Sequence, residues 1–263
     1  MARLKGKALF LLDMDGTIYL GDRLFGCTPG FLEAVKAIGA RSMFLTNNSS
    51  KSADDYVRKL NGLGIGCERS DLFTSVEASA IYIRKEHPGA KVYAAGTKAM
   101  VKELSGFGID VTEEPSEGVS VVLQGFDTEM TYAKVRDACR LIDRGAIFLA
   151  CNIDKVCPVE DGYIPDCGSI CEMIASATGE KARFLGKPQP EMITGLLAKL
   201  GIEPELAVMV GDRLYTDVAC GINAGIDTVL VLSGETSEAD LKQSGIKPTY
   251  VLKDVGELAD MLK

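Results

Sequence analysis

Five consecutive apolar residues, Ala8 to Leu12, run straight into Asp13 and Asp15, with Gly16 directly behind them. An apolar run without polar alternation reads as a strand covered on both faces, the kind found at the centre of a parallel sheet. Two acids at the end of such a strand repel each other and resist desolvation, so the chain must place a compensating cation beside them. In an open parallel sheet, ligands bind outside the carboxyl ends of the strands, which is where these acids fall.

The rest of the chain supplies the strands and helices that such a sheet needs. A hairpin is expected through "TIYLGDRLFG", then a helix in "CTPGFLEAVKAIGA" with Thr28 as its cap, Pro29 at its first position and Gly39 as its stop. A strand "RSMFLT", a polar loop "NNSSKS" and a helix "ADDYVRKLNGLG" follow. Near the C-terminus the pattern returns as helix "PEMITGLLAKLG", strand "LAVMVG", helix "TDVACGINAG" and strand "TVLVL". These alternations predict an α/β fold with a Rossmann-like, doubly wound parallel sheet over residues 1–81 and 182–263. Residues 82–181 carry strands "KVYAAG", "VSVVLQG" and "AIFLAC" alternating with helices "KAMVKELSGFG", "YAKVRDACRLIDRG" and "SICEMIASATG". They read as an inserted α/β domain with its own sheet.

Composition narrows the function. Hydrophobic residues at 46% and charged residues at 25% are ordinary for a soluble globular enzyme. The net charge of −8, with no concentrated Lys and Arg, argues against a nucleic-acid binder, so an anionic substrate must be attracted locally. No apolar run reaches the roughly 18 residues of a membrane span. The basic start "MARLKGKALFLLDMDG" meets acids too early for a signal peptide, and a cytoplasmic protein with no membrane partner is expected. The eight cysteines are irregularly spaced and read as reduced thiols. Cys151, Cys157, Cys167 and Cys171 lie close in sequence but lack the short paired spacing of a structural zinc site.

Four strand or loop ends carry polar side chains. They are Asp13 and Asp15; Thr46 with Asn47, Asn48 and Ser49; Lys187 in "LGKPQP"; and Asp212 with Asp217 in "VMVGDRLYTD". Crowded carboxylates call for a hard cation with oxygen ligands, such as Mg²⁺, with Asp13 and Asp212 as ligands. Ionised Asp13, Asp212 and Asp217 are balanced by Mg²⁺ together with Lys187, and a metal beside an ammonium suits a phosphate group. Gly16 lets the backbone turn sharply so that its amides approach the phosphate, and Thr17 can fix that turn. Each motif alone has a plainer reading. Asp-x-Asp is commonly a turn, Lys187 a solvated lysine, Thr46 a strand-end cap, and the Asn47–Ser49 stretch a loop. "GLGIGC" follows a helix and reads as a helix stop, while "GKPQP" lacks the P-loop pattern. His87 is the only histidine and lies at a helix end before Pro88, which leaves no ready Ser/His/Asp triad.

Taken in order, "DMDGT", the strand ending in Thr46, Lys187 in "GKPQP" and "GDRLYTD" resemble the four motifs of the haloacid dehalogenase (HAD) superfamily of phosphohydrolases. "FLTNNSS", "GKPQP", "DCGSICEMIASATG" and the position of the insertion are similar to the subclass with a large C2-type cap, the NagD-like or p-nitrophenylphosphatase-like group. The resemblance implies a Mg²⁺-dependent phosphatase for small phosphomonoesters such as sugar phosphates, nucleoside monophosphates or p-nitrophenyl phosphate. It implies that Asp13 attacks phosphorus, that Asp15 protonates the leaving oxygen and then activates water, and that Thr46 and Lys187 hold the transferring group. Mg²⁺ would take a carboxylate oxygen of Asp13, the backbone carbonyl of Asp15, and Asp212, while Asp217 steadies Lys187 or a metal-bound water. Gly16, Asn47, Asn48 and Ser49 would surround the phosphate. In the cap, Asn152, Asp154, Gly168 and Ser169 either contact the leaving group or are structural. Caps of this kind can dimerise, so a homodimer is the expected association. A phosphotransferase or mutase, and a non-catalytic phosphate-binding module, are the alternatives. The first of these tends to carry a helical cap just after the opening motif, where only a hairpin is expected here.

Overall fold

A computed structural model describes residues 2–159 and 161–263 and divides the chain into two compact units. The first contains residues 1–46, 56–73 and 187–263; the second contains 47–55 and 74–186.

The first unit holds a six-stranded sheet in the order Tyr250–Leu252, Asp227–Val231, Ala207–Gly211, Leu9–Leu12, Arg41–Thr46, Leu72–Thr74. Leu9–Leu12 pairs in parallel with Ala207–Gly211 on one side and Arg41–Thr46 on the other. All four of its residues are buried, as the uninterrupted apolar run requires of a strand covered on both faces. Phe10 and Leu12 pack with Phe31, Val35 and Leu258 from the helices Thr28–Ala37 and Val255–Leu262. On strand Asp227–Val231, Leu230 instead meets Leu214 and Val218. The chain fills one side of Leu9–Leu12 first and returns later to fill the other, so the order reverses between Leu9–Leu12 and Ala207–Gly211. That reversal is where an open parallel sheet forms its ligand crevice.

The hairpin expected after the first acids is present, pairing Tyr19–Leu20 with Arg23–Leu24. Thr28 is not a cap. It is the first residue of its helix behind Cys27, and its hydroxyl donates to the Ile18 carbonyl at 2.6 Å, where it is buried. The helix expected over "TDVACGINAG" starts earlier and is divided into a π-helical turn, Leu214–Val218, and an α-helix, Ala219–Asn223.

The second unit is a three-layer sandwich around a fully parallel sheet in the order Arg183–Phe184, Ile147–Ala150, Val119–Gln124, Lys91–Ala95, Asp110–Thr112. Val92, Ala94, Val121 and Leu123 bury one face under helices Ser75–Glu86 and Lys98–Gly106. Tyr93, Ala95 and Val122 bury the other under Tyr132–Asp143 and Cys167–Thr178. Cys151, Cys167 and Cys171 are buried in these cores, Cys157 is half-buried, and all eight thiols are unbridged. A two-stranded hairpin, Val156–Val159 with Gly162–Pro165, completes the unit.

Phe31 is fully buried and meets Phe10 edge-on with ring centroids 6.2 Å apart. Phe31→Ala should therefore cost about 3–5 kcal/mol, read from the urea midpoint. A loss under ~1 kcal/mol would show that the helix over this strand collapses into the vacated space.

Candidate active site

The two strands beside the reversal end in the acids that the sequence singles out. Asp13 follows Leu9–Leu12 directly, Asp212 follows Ala207–Gly211, and the Asp13 amide donates to the Val210 carbonyl at 2.9 Å. The sheet ladder thus continues into the site. The Lys187 ammonium, only 2% exposed, donates to Asp13 Oδ1 at 2.5 Å and to Asp217 Oδ1 at 2.7 Å. Asp217 is fully buried on the π-helical turn, and its Oδ2 accepts from the Arg213 amide at 3.1 Å. The Asp13 side chain keeps 16% of its surface against 1% for Asp217, so Asp13 is the carboxylate of this pair that a ligand can reach.

Asp212 is held from three directions. Its Oδ1 accepts from the Thr17 hydroxyl at 3.3 Å, its Oδ2 from the Glu235 amide at 2.7 Å, and its carbonyl from the Thr236 amide at 3.3 Å. Gly16 has φ +88°, and a Cβ there would lie 2.5 Å from Asp212 Oδ2. Both the backbone conformation and the close approach therefore require glycine. The segment Ser233–Thr236 adds a further tie, with Ser233 Oγ donating to the Gly16 carbonyl at 2.7 Å. The sequence reading omitted this segment. Its signal was available, because "SGET" follows the strand "TVLVL" at a carboxyl end, the rule that located the other four groups.

Burial raises the proton affinity of all three acids. Asp212 is pushed up to about 6 by desolvation and then by Asp217; Asp217 is pushed up to about 6 by desolvation and then by Asp13. Desolvation also raises Asp13, against the pull of Lys187. For Lys187, burial favours the neutral amine, but Asp13 and Asp217 outweigh it and hold the ammonium well above its ordinary range. Three carboxylates and one ammonium leave two negative charges when all are ionised. Asp13, Asp212 and Asp217 each offer an oxygen within 4.8 Å of the others, a hard-donor set that fits a divalent ion such as Mg²⁺.

Thr46 is buried at the end of the strand beside Leu9–Leu12. The Asp15 side chain is exposed and accepts from the Gly21 amide at 3.3 Å, while the Gly16 amide donates to the Tyr19 carbonyl at 2.7 Å. The remaining expected residues lie in the second unit. Asn48 Oδ1 accepts from the Ser50 amide at 2.9 Å and the Ser50 hydroxyl at 2.7 Å, closing a local turn. Ser49 is buried and accepts from the Phe126 amide at 2.8 Å. Asn47 and Asn152 both donate to Asp154 Oδ2, at 2.8 and 3.0 Å. The Gly168 amide donates to the Asp154 carbonyl at 2.8 Å, and Ser169 Oγ to the Lys155 carbonyl at 2.6 Å. Asn152, Asp154 and Gly168 are buried.

Residues 10–110 match the family of haloacid dehalogenase-like hydrolases, and residues 184–258 match a second HAD-hydrolase-like family. An acid sugar phosphatase of Staphylococcus saprophyticus is 32% identical over 260 residues, covering 99% of this chain and all of the relative. The chain belongs to the haloacid dehalogenase-like hydrolases. Among solved structures of this family, a 4-nitrophenylphosphatase from Thermotoga maritima matches with a TM-score of 0.94 and 40% identity, over 99% of each chain. NagD from E. coli matches with a TM-score of 0.88 and 29% identity, over 95% of this chain and 98% of that one. These likenesses place the chain in the NagD-like group of HAD hydrolases, with its Rossmann-like core and second α/β unit.

The raised acids make a prediction for the metal-free HAD core. Asp212 binds its proton more tightly folded, near 6, than at its ordinary 3.8. Its contribution to stability is therefore full below about 3.8 and lost as pH rises through about 6. Above that window, in chelator, Asp212→Asn should melt at a higher temperature than the wild type, and the gap should close in acid. Mg²⁺ should raise the melting temperature of the wild type and not of the variant. Calorimetry across pH checks both; a variant that melts lower at neutral pH would show that the ionised carboxylate stabilises the metal-free fold.

Proposed function

We propose that this protein is a Mg²⁺-dependent phosphatase for small-molecule phosphate monoesters, working through an aspartyl-phosphate on Asp13. The observation that carries the reading is the partly exposed Asp13 carboxylate, gripped by a buried Lys187 that Asp217 holds charged, at the reversal of a parallel sheet. The names of the relatives, acid sugar phosphatase and 4-nitrophenylphosphatase, support the same chemistry.

In the first step a carboxylate oxygen of Asp13 attacks phosphorus, and the bond from phosphorus to the ester oxygen breaks. Asp15 gives its proton to that oxygen, and the alcohol leaves. In the second step Asp15 takes a proton from water, whose oxygen attacks the phosphorus and releases phosphate from Asp13. Lys187 offsets charge on the transferring group and on Asp13, and the Thr46 hydroxyl donates to a phosphoryl oxygen. Gly16 brings backbone amides to the phosphate, with Asn47, Asn48 and Ser49 assigned to the same loop system. Asp13, Asp212 and the Asp15 carbonyl would hold the metal, which when bound neutralises phosphoryl charge as a Lewis acid. Asp217 serves by fixing Lys187.

Residues 82–181 are assigned the part of the cap that selects the leaving group. The hairpin at Tyr19–Leu24, where mutase-like relatives would carry a helical cap, favours hydrolysis over transfer. We retain a cytoplasmic homodimer as the working assembly; no helix among the described residues is long and apolar enough to cross a membrane.

Phosphate release from a panel of sugar phosphates, nucleoside monophosphates and p-nitrophenyl phosphate tests the reading. Release should need Mg²⁺, stop in chelator and fall by about 10⁴-fold or more in Asp13→Asn, the scale of losing a nucleophile. Substantial turnover by folded Asp13→Asn would remove Asp13 from that role.

A further inference from the structure

Two phosphate-site residues stand at the ends of the first unit's segments. Thr46 is followed by Asn47, and Lys187 is preceded by Gly186; Asn47 and Gly186 both belong to the second unit. Within that unit the two neighbours meet. A Cβ on Gly186 would collide with the Cys151 backbone carbonyl and lie 2.7 Å from Asn47 Oδ1, so glycine leaves room for both the carbonyl and the Asn47 side chain. The Asn47 carbonyl accepts from Ser75 Oγ at 2.7 Å, which fixes its backbone as well.

From Asn47 a buried polar chain runs on. Asn47 Nδ2 donates to Asp154 Oδ2 at 2.8 Å, and Asn152 Nδ2 donates both to that oxygen at 3.0 Å and to Asp166 Oδ1 at 3.1 Å. Asp166 in turn caps the helix Cys167–Thr178 through the Cys167 amide at 2.5 Å. Asn152 is fully buried, Asp154 is 7% exposed and Asp166 5%. Carboxylates that deep, bonded by amide donors, form strong and geometrically demanding contacts.

The segment after Asn47 is fixed in the same manner. The second unit's strand order reverses between Lys91–Ala95 and Val119–Gln124, the place where a parallel sheet offers its crevice. The chain itself is bound there: Phe126, just past one strand, donates its amide to Ser49 Oγ, and Thr97, just past the other, donates its hydroxyl to the Ser50 carbonyl at 3.0 Å.

We propose that the Asn47–Asp154–Asn152–Asp166 relay is a positioning device, which sets Thr46 and Lys187 for phosphoryl transfer through the peptide bonds to Asn47 and Gly186. The proposal rests on the phosphatase reading above. Asn47, Asn152 and Asp154 are then positioning residues and not contacts to the leaving group. Displacing a catalytic group by roughly 1 Å can cost about 10²-fold in rate, so a relay that does no chemistry still governs kcat.

Asn47→Asp sets a second carboxylate against Asp154 and breaks the relay beside Thr46. Asn47→Asp combined with Asp154→Asn restores the hydrogen bond with donor and acceptor exchanged. Turnover of p-nitrophenyl phosphate and of a sugar phosphate is measured per folded enzyme, with melting temperature recorded for each variant. The expected result is a fall in kcat of about 10- to 100-fold in Asn47→Asp, equal for both substrates, with KM little changed, and recovery in the double variant. Should Asn47→Asp fail to fold, Asn47→Ala carries the same expectation of a lowered kcat. An unchanged kcat, an altered ranking of substrates, or a loss that persists in a double variant melting like the wild type would overturn the relay. A wild type that turns over while the variants match it removes the relay alone. A folded wild type with no turnover on any ester removes the phosphatase reading and the relay with it.

Discussion

The contact on which the site depends is the Lys187 ammonium lodged between Asp13 and Asp217. A lysine this deeply buried would shed its proton without carboxylate partners, and the carboxylates would shed their charge without the lysine. Each is charged only because the others are. Breaking a buried pair by removing one member typically costs about 3–5 kcal/mol, because the orphaned charge remains in place. The arrangement is therefore held by mutual need, and it still leaves more negative than positive charge. That residual deficit is the chemically useful property: the three acids offer oxygens that fit a divalent cation, which in the proposed reaction would hold a phosphate together with Lys187.

The sheet makes this concentration of charge tolerable by distributing the acids over separate elements. Asp13 and Asp212 extend neighbouring parallel strands, so the ladder fixes their spacing, while Asp217 comes from the widened π-helical turn that follows. Ser233–Thr236 closes around Asp212 with two backbone amides and joins it to Gly16 through Ser233. Backbone donors of this kind hold an anion without adding a mobile charge of their own.

The sequence made the core legible because buried parallel strands announce themselves as unbroken apolar runs, and the polar residues behind each run mark one rim. Leu9–Leu12 with Asp13, and Ala207–Gly211 with Asp212, needed no tertiary knowledge. Helix Ser75–Glu86 was illegible for the opposite reason: its buried face is built from Ser75, Ala78, Ser79 and Ala80 as much as from Val76 and Ile83, so no apolar period stands out. The hairpin Val156–Val159 and Gly162–Pro165 exposes Val156 and Tyr163, contains Pro158, and shows neither alternation nor a run. Asp110–Thr112 and Arg183–Phe184 are too short to display any period. Thr28 misled because threonine before proline fits a helix start, whereas its hydroxyl is used at long range to tie down the Ile18 carbonyl. Asn152, Asp154, Gly168 and Ser169 were visible as one stretch, but only the fold shows where their bonds go: Asn152 and Gly168 donate to Asp154, and Ser169 donates to the Lys155 carbonyl.

The two sheets obey the same topological rule and use it differently. In the first unit the reversal leaves strand ends that carry acids, and the Lys187 ammonium is bound to Asp13 and Asp217. In the second unit the corresponding strand ends carry Thr97 and Phe126, whose donors are taken by the residues that follow Thr46. A parallel sheet provides its crevice whether or not a ligand is wanted, and here one crevice is filled with chain. Filling it with the continuation of the Thr46 strand, instead of with any other loop, links the order of the second unit to a group assigned to the phosphate. The same unit delivers Lys187 from its other end. Under the proposed relay, the order of the second unit acts on two of the groups assigned to the phosphate, Thr46 and Lys187, and no side chain of that unit has to touch phosphorus for this to hold.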